Sequence, residues 1–131
     1  MNKTKLIALI PALWTSMFDI SLTIIHQTKE YWKGDLNNVN EVNPIGNFVM
    51  KNSIYGIFII SIFWLILIAI LGYKLPKKIS RIFLLFVFIA HNYGASTWLI
   101  GNYGFWAFII FTVFNAVLFY KIDDITNLGV T

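Results

Sequence analysis

The chain has 131 residues, of which 58% are hydrophobic and 12% charged, and its mean hydropathy is +0.72. That balance excludes an ordinary soluble domain and predicts an integral membrane protein. The absence of cysteine rules out disulfides, thiolate metal sites and thiol catalysis. The net charge of +4 does not point to nucleic acid, because the basic residues flank apolar runs instead of gathering on one face.

The first apolar run, Leu6 to His26, follows a basic start like that of a signal peptide. No A-x-A-like exit follows it, and Asp19 and His26 interrupt the expected cleavage region, so it reads as a retained helix. Gln27 to Ser53 is a 27-residue loop, with Tyr31 and Trp32 as interface anchors and Asn43-Pro44 opening a short helix toward Met50. Further runs at Ile54 to Tyr73, Ile79 to Ile100 and Phe105 to Tyr120 are each long enough to cross a bilayer, the last near the lower limit. Between the second and third runs, K-L-P-K-K-I-S-R marks a tight turn, with Ser80 as a cap for the helix that follows. The fold class is therefore all-α, a four-helix membrane bundle occupying the whole chain as one domain.

Lys3, Lys5, Lys74, Lys77, Lys78, Arg81 and Lys121 fall on one side of the runs, and Lys29, Lys33 and Lys51 on the other. By the positive-inside rule both termini are cytoplasmic and the first loop faces outward.

Ionisable residues within spans are costly and mark function first. At about 1.5 Å of rise per residue, Asp19 and His91 lie at matching depth, roughly 10 to 14 Å below the outer helix ends. Asp19, Thr23 and His26 share one helical face at i, i+4 and i+7. A cavity between helices 1, 3 and 4, opening outward under the first loop, would collect Asp19, Thr23, His26, His91, Asn92, Ser96 and Glu41. Each has a blander reading: Asp19 as a neutral hydrogen-bonder, His26 as an interfacial residue, Asn92 and Asn115 as interhelical pins, Ser96 as packing, Glu41 as a solvated turn residue.

F-D-I-S-L-T at Phe18 to Thr23, Y-W-K-G-D at Tyr31 to Asp35, N-E-V-N-P at Asn40 to Pro44 and H-N-Y-G-A-S-T-W-L at His91 to Leu99 together resemble a group of small bacterial multi-helix membrane proteins of the DUF5658-type pattern. These carry an Asp and a Thr in the first helix and a Glu-x-Asn-Pro loop. The resemblance implies a bacterial cytoplasmic membrane and a single site formed by Asp19, Thr23, Glu41, Asn43 and His91.

Three functions compete. The first is an outward-facing intramembrane polar site that binds a small ligand or ion and supports chemistry on a lipid-like substrate. There Asp19, His91, Glu41 and His26 offer donors for a divalent metal such as zinc, although no H-E-x-x-H spacing is present and the two histidines differ in depth. The second is a non-catalytic subunit docked in a larger membrane complex. The third is translocation of a proton or small solute, which four helices could enclose only as a homo-oligomer. Membrane lipid is a partner in all three, and enzyme status stays open.

Overall fold

The computed structural model describes residues 2–128, which are all-helical and contain no strand. Four helices are long and apolar enough to cross a membrane. The first is built from α1 (Lys3–Ala8) and α2 (Ile10–Ile25), which meet at Leu9 with that residue still in right-handed helical geometry. Pro11 has no N–H to offer the carbonyl one turn back, so the helix is interrupted there without being broken. Asn2 caps α1 by accepting from the Lys5 N–H.

The loop folds into α3 (Lys29–Trp32), a 3-10 turn (Leu36–Asn38) and α4 (Pro44–Asn52). Asn43 caps α4 by accepting from the Ile45 N–H, and Pro44 occupies the first turn, where a missing N–H costs nothing. Gln27 clamps the loop from below: its amide donates to the Asn40 carbonyl at 2.6 Å and accepts from the Asn40 N–H at 2.9 Å. Tyr31 is not the interface anchor that its position suggested. It is fully buried, packs with Met50 and Ile57, and its hydroxyl donates to the Ile54 carbonyl at 3.1 Å, making it the core of the loop. Trp32 packs on Phe58.

The remaining long helices are α5 (Gly56–Lys74), α6 (Lys77–Tyr103) and α7 (Phe105–Leu128). Leu75 is extended ahead of Pro76, as the proline ring requires. Ser80 does not cap α6; its hydroxyl reaches across the turn to the Gly72 carbonyl of α5. Gly104, at φ +86°, lies in the left-handed region that glycine adopts freely and turns the chain directly into α7. α6 extends to Tyr103 and α7 to Leu128, beyond their apolar runs, and the extra turns of α7 carry Asp123, which pairs with Arg81 at 2.7 Å.

This pair, together with hydrogen bonds from the Lys5 ammonium to the Tyr73 carbonyl at 2.9 Å and from the Asn2 N–H to the Tyr73 hydroxyl, gathers the start of α1, the α5–α6 turn and the last turns of α7 at one end of the bundle, the basic end. The loop covers the opposite end. The most extensive helix pair is α2 with α6, which run parallel. Small residues such as Ala12, Thr15, Ser16 and Ala95, all nearly fully buried, let the two backbones approach closely. Leu9, Ala12, Ile68, Leu84 and Val87 form the core toward the basic end, and Leu22, Ala95, Leu99 and Phe111 form it toward the loop end.

Candidate functional site

Between these two cores α2 turns Asp19 toward α6. His91 Nδ1 and Asp19 Oδ2 are 2.8 Å apart, and both side chains are largely shielded, with 17% and 18% of their surfaces exposed for Asp19 and His91 respectively. The other ring nitrogen, Nε2, accepts from the indole N–H of Trp64 on α5 at 2.7 Å. An indole only donates, so Nε2 must keep its lone pair, and the single ring proton sits on Nδ1, donating to Asp19. Three long helices are thereby joined through one neutral imidazole.

Gly94 makes room for the carboxylate: a Cβ at that position would stand 2.6 Å from Oδ2 and 2.8 Å from Oδ1. Among the described residues, no other hydrogen bond reaches the Asp19 carboxylate, so Oδ1 is an open acceptor. One turn inward the Ser16 hydroxyl is fully buried without a hydrogen-bond partner, an inward extension of the same polar face.

Glu41, in the loop that covers this end of the bundle, lies within electrostatic reach of Asp19. The Asn43 N–H donates to its Oε1 at 2.6 Å, Asn47 holds its backbone carbonyl at 2.8 Å, and its side chain packs against Gly46. Burial raises its carboxyl above the ordinary glutamate range, and the charge of Asp19 adds to the rise; the N–H groups of Asn43 and Val42 act in the opposite direction. Glu41 therefore lies within the field of Asp19.

The other expected residues fall into two separate clusters. Toward the loop end, Thr23 donates to the Asp19 backbone carbonyl and accepts from the Trp98 indole at 3.2 Å, while His26 stacks on Trp98 and meets the Tyr103 hydroxyl at 3.1 Å. Toward α7, the Trp14 indole donates to Asn115, which donates in turn to Asn92. Asn115 is fully buried, and this chain pins α2, α7 and α6 together. Ser96 donates to the Asn92 carbonyl of its own helix and faces no open site. Asn43 contributes through its backbone N–H to Glu41 while its side chain caps α4.

Two expectations change. The polar centre lies between α2, α6 and α5, with Trp64 as its third wall, and α7 takes part only in the Asn115 cluster. The zinc-type set of Asp19, His26, Glu41 and His91 does not fit, because among the described residues no three His, Asp or Glu side chains come together as metal ligands. His26 is committed to Tyr103 near the mouth, and both nitrogens of His91 are occupied. Trp64, Gly94 and Trp98 are missing from the sequence-derived set; a tryptophan in mid-span, away from the interfacial belts, was the available signal, because its N–H needs an acceptor in hydrocarbon.

No family model matches the chain, and no curated protein or solved structure matches it significantly. The likeness to the DUF5658-type pattern rests on its short motifs alone.

Proposed function

We propose that the chain is an integral membrane protein of the bacterial cytoplasmic membrane, with both termini in the cytoplasm and an outward-facing intramembrane site that binds a small cation bearing N–H donors. One observation carries the ligand class: Asp19 spends one carboxylate oxygen on His91 and leaves the other open, with a second carboxylate, that of Glu41, within electrostatic reach. His91 is neutral in this arrangement, and among the described residues no Lys or Arg forms an ion pair with either acid. Two acidic groups and no compensating base, largely out of water, favour a positively charged guest far more strongly than the same groups would at a surface. A compact ammonium group satisfies Oδ1 with a charge-assisted hydrogen bond. Trp98 and His26, stacked at the mouth, present apolar faces suited to the hydrocarbon part of such a ligand.

The same geometry weighs against hydrolysis. A histidine acting as general base needs a free nitrogen facing the substrate, and Trp64 occupies Nε2. Titration of methylammonium into the purified protein in detergent micelles tests the binding reading. Saturable binding is expected, weakened about tenfold, some 1.4 kcal/mol, by Asp19→Asn at an unchanged melting temperature. If Asp19→Asn and Glu41→Gln both bind methylammonium as the unaltered protein does, the reading fails and that of a docked, non-catalytic subunit takes its place.

A further inference from the structure

A cavity lies at the basic end and reaches α7, whereas Asp19 joins α6 and, through His91, α5. α1, α2, α6 and α7 leave between them a cavity of about 170 Å³. Its inner wall is Ala8, Pro11 and Ala12; Phe119 and Ile122 close it on the α7 side. Ile82 and Leu85, which also line it, are 61% and 41% exposed, so the cavity opens sideways from the bundle instead of being sealed inside it. The small residues at the α1–α2 junction create the space: Ala8 and Ala12 fill little, and Pro11 interrupts the helix beside them. An apolar cavity of about 150 Å³ is enough to take a six-carbon ring.

Polarity is confined to one rim. Arg81 and Asp123 line the cavity and pair at 2.7 Å, and the Arg81 side chain remains half exposed. A guanidinium has five N–H donors, so the bond to Asp123 fixes its position and leaves others to bind an anion. Arg81 lies four residues into α6, about 6 Å along the helix, whereas Leu85 lies about 12 Å along it. The lining thus passes from headgroup depth to hydrocarbon depth within one cavity. Lys77 and Lys78 precede Arg81 by one turn, and the basic end carries seven basic side chains against two acidic ones, Asp123 and Asp124.

We infer that this cavity binds an anionic phospholipid, with one acyl chain lying against Ala8, Pro11 and Ala12 and the phosphate held by Arg81. The inference rests on the membrane-spanning reading of the chain and is independent of the Asp19 site. A lone arginine in an electropositive rim attracts any phosphate. What selects a lipid is the apolar cavity directly below it, which a free phosphate ester leaves empty and a zwitterionic lipid fills without gaining the net attraction of the headgroup.

The test is native mass spectrometry and thermal melting of the full chain in neutral detergent, with dioleoyl phosphatidylglycerol, dioleoyl phosphatidylcholine or glycerol 3-phosphate added. Phosphatidylglycerol should remain bound and raise the melting temperature, and the other two should not. Arg81→Gln should weaken phosphatidylglycerol binding about tenfold, while Lys33→Gln in the loop leaves it unchanged. Ala8→Leu, which fills the cavity and spares the Arg81–Asp123 pair, should weaken it as much and keeps the test decisive if Arg81→Gln fails to fold. Equal retention of the two phospholipids, or tight binding of glycerol 3-phosphate, overturns the inference. So does an Ala8→Leu protein that keeps full affinity. Methylammonium binding should be the same in all these variants, which separates failure here from failure of the Asp19 reading.

Discussion

The Asp19 carboxylate lies against the bare Cα of Gly94, with Oδ2 only 2.6 Å from where a Cβ would be. A methyl group there cannot coexist with the bond from His91, because the carboxylate and the imidazole are fixed on two packed helices. Gly94→Ala is therefore expected to destabilise the protein by about 1 to 3 kcal/mol, despite alanine's higher helix propensity. Gly101, on the same helix, has nothing within 4 Å of its own Cβ position. Gly101→Ala should be neutral or stabilising by up to about 1 kcal/mol. Detergent melting curves of the two variants decide the matter, and equal behaviour would show that Gly94 makes no room for Asp19.

Trp64, with Asp19, fixes the tautomer of His91. Phenylalanine at that position keeps an aromatic ring, though a smaller one, and deletes the donor, leaving Nε2 with an unfilled lone pair in apolar surroundings. Trp64→Phe should cost about 1 to 3 kcal/mol. The specific readout is nitrogen NMR of the imidazole: in the unaltered protein one signal should report a proton held on Nδ1 and the other a hydrogen-bonded lone pair on Nε2, and in the variant the Nε2 signal should shift while Asp19 still holds the Nδ1 proton. A dominant Nε2-protonated ring in the unaltered protein would contradict the Asp19–His91–Trp64 arrangement.

How far the sequence reached depends on the kind of interaction. Asp19 and His91 could be matched by depth because charge in a span demands a partner, and helix rise converts residue number into height. Asn43-Pro44 announced α4 through local capping chemistry, which needs only neighbouring residues. The N–H of Trp64 demands an acceptor, but nothing local to it shows that His91, 27 residues away, presents one. The burial of Tyr31 is hidden from the sequence for a similar reason: it depends on Met50 and Ile57, which reach it only after the loop has closed. The last apolar run ends at Tyr120, whereas α7 continues to Leu128 and carries Asp123, whose pairing with Arg81 comes from tertiary contact.

The proposed orientation can be checked against a clean background, because the chain contains no cysteine. With seven of ten basic residues at the basic end, a Lys77→Cys probe in intact cells should resist a membrane-impermeant maleimide, and Lys33→Cys should react. The reverse pattern would invert the bundle and put the Asp19 site on the cytoplasmic side.

Glu41 should make the loop sensitive to pH. Its carboxyl is raised above the usual glutamate value mainly by burial, so in the interval between the unfolded and folded values the folded state holds a proton that the unfolded state has released. Where the folded state binds more protons, stability falls as pH rises. The loop should therefore be most firmly seated at pH below the ordinary glutamate value and loosen progressively as pH climbs through that interval, levelling off once Glu41 is ionised in both states. A bound cation should offset part of the loss, because it supplies the counter-charge that ionised Glu41 lacks. Amide hydrogen exchange of α4, measured at a series of pH values and corrected for intrinsic exchange, reads this directly. Glu41→Gln should abolish the pH-dependent component while keeping the Asn43 N–H bond, since the amide oxygen still accepts it. Protection that stays flat with pH in the unaltered protein, or an equally steep loss in Glu41→Gln, would move the titrating group away from Glu41.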